Sequence, residues 1–349
     1  MLRTRQYGAV RPRRPARATS ANGSLAAQAR GTEWGGFPPR LPVGAAMMPT
    51  SPRVSAGALG FAFGLIACGA LVVVEWAAWT MVTPGRRLGA AEVEVGPGET
   101  IETRAADGTR LAGVWVPARA EDGEDRIRKG TVLLLHGFAE PPSAMNGRVE
   151  ALTRCGWDVA AIDLRGYGRS EGEHSSFGGR EAGDLRAWID ALAGRIGPGA
   201  KVAVWGRSMG AAIALRAAAE DPRIAALVLE APYLDLEETL AALLRRFRLP
   251  LPRPLARLAL ARAGALAGVS LARPRPLDLA PRVATPALIV HGSDDRLIPL
   301  ADARRLAETF PRPALLIDVA GAGHADAIDV GGHALLGRIG AFLEEAVTR

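Results

Sequence analysis

Between Ser55 and Val74 the chain runs for 20 residues without a charge, and Glu75 is the one charged position before Val82. About 20 apolar residues, at ~1.5 Å each, are needed to cross the ~30 Å hydrocarbon layer of a bilayer. The pattern therefore predicts a single transmembrane helix over 54–82. A buried core helix and a cleaved signal sequence fit the same hydropathy. Leu65-Ile66-Ala67-Cys68 also has the form of a bacterial lipid-attachment box, but the apolar run continues well past Cys68. Gly60 and Gly64 form a lone G-x-x-x-G, a spacing that lets membrane helices approach one another.

From about Leu88 the pattern changes. Ala91–Val95 and Leu111–Val116 read as an opening antiparallel pair. Short continuous apolar runs follow at Thr131–Leu135, Val159–Leu164, Val202–Trp205, Ile224–Leu229, Ala287–Val290 and Ala314–Val319. Unbroken runs of this length suit strands buried on both faces of a mostly parallel sheet. Helical periods lie between them, as at Arg180–Ile196 and Met209–Ala219. Strand–helix alternation predicts an α/β fold with a doubly wound sheet over 88–349. One segment breaks the rhythm: 235–277 is rich in Leu, Ala and Arg, with Pro250, Pro252, Pro254, Pro274 and Pro276. It is too long for an ordinary connection and reads as a helical cap inserted over the sheet.

Charge changes the picture mainly by where it lies. The formal net charge is +7, but residues 1–53 carry nine arginines against one acid, Glu33, so the rest of the chain is close to neutral. That tail, rich in Arg, Pro, Gly and Ala and without apolar period, reads as disordered. Met47 offers a later translation start. With few aromatics and no recognisable fold, the tail does not suggest a nucleic-acid partner. A basic tail favours the cytoplasmic side, which would put the domain after the helix outside. Close to the helix the count is even, with Arg40 and Arg53 before it and Arg86 and Arg87 after. Two cysteines, Cys68 and Cys155, give no disulfide framework and no metal site.

The chemistry concentrates in four places. Gly206-Arg207-Ser208-Met209-Gly210 is a G-x-S-x-G set directly after an apolar strand and before a helix of small residues. That context makes Ser208 a nucleophile on a sharp strand-to-helix turn, with helix amides where negative charge develops. The structural alternative is a glycine-rich turn with a capping serine. A serine hydroxyl needs a general base. Of five histidines, His324 follows the last strand in a glycine-rich loop, Gly321-Ala322-Gly323-His324. His136 and His291 read as structural residues at strand ends, His174 as solvated, and His333 as the start of the final helix. The base needs a carboxylate. Asp295 and Asp294 compete in His291-Gly292-Ser293-Asp294-Asp295-Arg296-Leu297-Ile298-Pro299, with Glu230 more distant. Backbone amides of Phe138, in His136-Gly137-Phe138, and of Met209 are the candidates for an oxyanion hole. No ligand cluster for a metal appears, and no cofactor is expected.

Taken together, Leu134–Phe138, the run Asp163-Leu164-Arg165-Gly166-Tyr167-Gly168-Arg169-Ser170, the G-x-S-x-G, the stretch around Asp295 and the closing Gly321–His324 resemble an alpha/beta hydrolase. The likeness is to its serine-aminopeptidase and monoacylglycerol-lipase-like branch, over about 90–349. The resemblance implies that the acid is the residue four before Pro299, which is Asp295, and that the loop from Asp163 to Ser170 is largely structural. It implies ester hydrolysis through an acyl-enzyme, with Ser208, Asp295 and His324 as triad. The cap arginines Arg245, Arg246, Arg248, Arg253, Arg257 and Arg262, lying among leucines, suit an anionic lipid surface, and equally an ordinary solvated face. A lipid acyl ester is thus the expected substrate. An aminopeptidase is the enzymatic rival, and a membrane-tethered binding protein on the same scaffold is the rival from another class.

Overall fold

The computed structural model describes residues 55–83, 98–119, 128–197, 201–246, 248 and 252–348. The expected tail, the possible start at Met47 and the expected strand Ala91–Val95 lie outside them. Eight strands form one sheet: β1 Glu99–Arg104, β2 Arg110–Val116, β3 Gly130–Leu135, β4 Trp157–Ile162, β5 Val202–Arg207, β6 Ile224–Glu230, β7 Ala287–Gly292 and β8 Leu315–Val319. Their order is β1-β2-β4-β3-β5-β6-β7-β8. β1 and β2 pair antiparallel, as do β2 and β4, and every later pairing is parallel. This is the doubly wound α/β sheet that the apolar runs predict. The partner of β2 is Glu99–Arg104, a strand with Ile101 as its one buried residue.

The helices are α1 Ala56–Val82, α2 Asn146–Arg154, α3 Glu181–Ile196, α4 Met209–Ala218, α5 Leu236–Arg246, α6 Arg253–Ala267, α7 Pro276–Leu279, α8 Leu300–Thr309 and α9 Ala327–Thr348. Because strand side chains alternate between faces, one face of β3 sends Leu133 and Leu135 toward α3, α4 and α8. Its other face sends Val132 and Leu134 toward α2 and α9. Trp157, Trp188 and Trp205 fill these layers as fully buried side chains. His333 begins the final continuous stretch of the last helix, as expected. It follows a break at Gly332 inside α9.

The inserted segment 235–277 supplies α5 and α6. Pro252 precedes α6 and Pro254 sits in its first turn, where a missing N–H costs nothing. Gly268 ends α6 in the left-handed conformation. α1 is a continuous helix, and Phe63–Val82 is long and apolar enough to cross a membrane. Its two halves differ. From Phe63 to Val73 its positions are exposed or half-buried on every side. Beyond that, Ala78, Met81 and Val82 are buried in one cluster with Leu240, Leu260 and Ala263 of the cap, while Val74 and Ala77 pack on Ala259. Glu75 meets Arg262 of α6 in a two-bond ion pair at 2.7 and 2.9 Å.

Candidate active site

The sequence-derived residues meet at the carboxyl end of the sheet. Ser208 stands between β5 and α4 with φ 50° and ψ −108°, a region that costs a non-glycine residue about 1–3 kcal/mol. The turn closes because its flanks are glycine. A Cβ on Gly206 would run into the Gly210 carbonyl, and one on Gly210 into the carbonyls of Leu135 and His136. The Ser208 amide donates to the Glu230 carbonyl at 2.8 Å, tying the turn to the end of β6.

His324 lies on the loop after β8. Its Nε2 is 3.1 Å from Ser208 Oγ and its Nδ1 2.7 Å from Asp295 Oδ2. Asp295, not Asp294, faces the histidine. Two residues of a tight turn point opposite ways: Asp294 is exposed and accepts from Ser293 Oγ, whereas Asp295 is buried. Asp295 Oδ1 accepts the amides of Leu297 and Ile298 at 2.8 and 2.9 Å, which leaves Oδ2 for His324. Burial works to raise the Asp295 pKa, but the hydrogen bond and charge of His324 and these two amides outweigh it, so the carboxyl titrates below its ordinary range. Gly292 lets the two loops touch, since a Cβ there would meet the carbonyls of Ala322 and Gly323.

His136 and His291 are fully buried and engage backbone carbonyls. His291 Nε2 donates to the Ile298 carbonyl at 2.9 Å, bracing the Asp295 turn. His136 Nδ1 donates to the Gly137 carbonyl at 2.9 Å, while its Nε2 accepts the Leu164 amide at 3.2 Å. The Gly137 carbonyl and the Phe138 N–H belong to one planar peptide unit, so His136 orients that N–H. Burial pushes the His136 pKa down to about 4 and keeps the imidazole neutral. The amides of Phe138 and Met209 enter none of the turn, loop or cap hydrogen bonds found among the described residues. Phe177 stacks on Phe138 at 5.3 Å between ring centroids. Glu230 is not brought to His324; it is buried in an ion pair with Arg148 and accepts from Trp205 Nε1 at 3.2 Å.

The loop from Asp163 to Ser170 is a buried brace. Asp163 Oδ2 accepts the Arg169 amide and Nε at 2.9 and 3.0 Å, and Arg165 joins Asp184 and Asp107. His174 is half-buried rather than solvated, with Nδ1 enclosed. Sequence reasoning did not single out Arg207 or Glu140, which pair with each other beside Ser208. No local pattern marks them, because the pair spans 67 positions. Among the described residues no cluster of His, Cys, Asp or Glu could hold a metal ion.

A family described as serine aminopeptidase, S33, matches residues 126–267. An uncharacterized protein of Mycobacterium tuberculosis is 30% identical over 250 residues, which are 71% of this chain and 80% of that protein. The lysophosphatidylserine lipase ABHD12 of Danio rerio is 33% identical over 140 residues, 36% of this chain and 35% of the lipase. Among solved structures, an esterase of Pyrococcus furiosus superposes with a TM-score of 0.58 at 26% identity, over 72% of this chain and 91% of the esterase.

Proposed function

The chain belongs to the alpha/beta-hydrolase superfamily, and from that membership we propose that it is a membrane-anchored serine hydrolase cleaving acyl esters of membrane amphiphiles. The observation that carries this reading is the hydrogen-bonded row Asp295–His324–Ser208, with Ser208 on a strained turn at a helix N-terminus. His324 Nε2 takes the Ser208 proton as Oγ attacks the acyl carbonyl. Asp295 holds Nδ1–H and stabilises the imidazolium. The amides of Phe138 and Met209 receive the oxyanion, in a setting where fixed donors act more strongly than water does. His324 then protonates the leaving alcohol, and a water deprotonated by the same nitrogen releases the acid and restores Ser208. No cofactor enters these steps.

The anchor reading rests on α1. The exposed stretch from Phe63 to Val73 covers about half of a ~30 Å hydrocarbon layer at ~1.5 Å per residue, and α1 from Ala56 to Val73 covers most of it. Beyond it stand Trp76 and Trp79, both exposed, as aromatic side chains do at a membrane interface. The nine arginines of the tail favour the cytoplasmic side, which puts the hydrolase domain outside. α1 then ends against the cap, so the cap lies at the membrane surface. A lipid-derived ester suits that position, and a relative is named as a lysophosphatidylserine lipase.

The test is labelling by a fluorophosphonate, followed by hydrolysis of a chain-length series of acyl esters, with the full chain in detergent. The expected result is labelling and turnover by wild type, neither by Ser208→Ala, and a preference for long chains. The S33 match favours one second reading, an aminopeptidase. It requires a carboxylate for the substrate's amine, and the carboxylates of the neighbouring loops are engaged, Glu140 by Arg207 and Glu181 by Ser176 and Gly178. Turnover of aminoacyl amides above esters would reverse the order of the two.

A further inference from the structure

Arg207 precedes Ser208 and is buried at 6% exposure. Its Nε donates to Glu140 Oε2 at 3.0 Å, and Nη2 pairs with the same carboxylate. Its Nη1 donates to the Ala325 carbonyl at 3.3 Å. Glu140 Oε2 also accepts the Gly137 amide at 2.9 Å. Every end of this network is one residue from a group that acts in the proposed chemistry. Arg207 adjoins Ser208, Ala325 adjoins His324, and Gly137 adjoins Phe138.

We propose that Arg207 and Glu140 are positioning residues that clamp the loops of nucleophile, base and oxyanion donor to one another. The inference rests on the serine-hydrolase reading above. The guanidinium suits the task because its planar fork reaches two acceptors at fixed angles, which an ammonium cannot do. Folding alone does not account for the pair, since a buried ion pair is often no more stabilising than apolar residues of the same volume. The Gly137 amide is held by Glu140 and the Gly137 carbonyl by His136. The peptide that presents the Phe138 N–H is thus fixed from both sides, and Arg207 fixes Glu140. Neither residue touches substrate in this scheme. Both act through geometry, where a misplacement of about 1 Å can cost on the order of 100-fold in rate.

The test compares wild type, Arg207→Met, Arg207→Lys, Glu140→Gln and the Arg207→Met/Glu140→Gln double variant, as full chains in detergent. The readouts are kcat and KM on a p-nitrophenyl acyl ester, the rate of fluorophosphonate labelling, and the melting temperature. Arg207→Met is expected to lower kcat and labelling about 30-fold or more with KM within about twofold. Arg207→Lys recovers part of the loss, because it keeps one bond to Glu140. The double variant is no slower than Arg207→Met alone, as expected for residues acting as a unit. Should Arg207→Met fail to fold, Arg207→Lys and Glu140→Gln carry the test through the same fall in kcat at constant KM. Wild-type kcat in folded Arg207→Met, or in both milder variants, overturns the clamp alone. So does a double variant whose losses multiply. Absence of labelling in wild type overturns the hydrolase reading and the clamp with it.

Discussion

The two ends of the sheet turn the chain between strand and helix with different residues. At the amino end the positive-φ positions are glycines: Gly130 opening β3, Gly156 before β4 and Gly197 after α3. Glycine enters that region freely. The carboxyl end uses glycines too, at Gly166, Gly168, Gly172, Gly178 and Gly321, but its positive-φ positions after β3, β4, β5 and β6 also include Ala139, Phe177, Ser208 and Ala231. There a side chain is kept and the strain is borne. The amino end also has an open cavity of about 510 Å³, bordered by Lys201, Asp221, Arg282 and Arg312. Its Asp221 is tied to Arg223, which also reaches Asp190, so the charged groups at this end are paired with one another. Strain persists only where the surroundings enforce it, so four strained residues at one end point to the candidate site, whereas the cavity at the other end does not.

The sharpest way to break the comparison is Ser208→Gly. It removes the nucleophile and relieves the turn. Turnover is expected to fall about 10⁵–10⁶-fold, while stability to chemical denaturation rises by about 1 kcal/mol. A less stable variant would mean that the turn is not strained. Asp295→Asn comes next. An amide in place of the carboxylate can hold His324 in the wrong tautomer, and kcat is expected to fall about 10⁴-fold with little change in melting temperature.

A smaller effect concerns His136. Its pKa is about 4 in the folded state, against ~6.5 for an unfolded histidine. Between those values the unfolded chain binds a proton that the native one does not. Stability should therefore fall as pH drops from about 6.5 toward 4, by up to about 3 kcal/mol. Denaturant titrations across that window should lose most of this slope in His136→Asn. The smallest effect belongs to the amino end. Gly197→Ala, at φ 93° with open space around it, should cost roughly 1–2 kcal/mol of stability and leave kcat unchanged.

Much of this was legible in the chain because buried parallel strands write continuous apolar runs, and because a G-x-S-x-G between strand and helix leaves few alternatives. β1 was not legible. Glu99–Arg104 carries Ile101 as its one apolar residue and joins the sheet by backbone pairing with β2. Asp294 and Asp295 are alike in sequence and are separated only by the turn, which aims one at solvent and the other at His324. Glu230 looked available until Arg148, 82 positions away, was brought onto it. Hydropathy also treats α1 as uniform, although its outer turns are exposed and its last two are core.

That last division has a consequence for how the domain is held. Val82 closes α1 by accepting the Ser175 amide at 2.8 Å, and Ala78 and Met81 share a core with Tyr233 and Leu260. A protease that nicked the chain anywhere between Thr83 and Gly98 would break the covalent link without detaching the domain, because packing would still hold the two pieces together. Release would require melting the cap itself, so the anchor proposed for this chain is also a plug in the enzyme it carries.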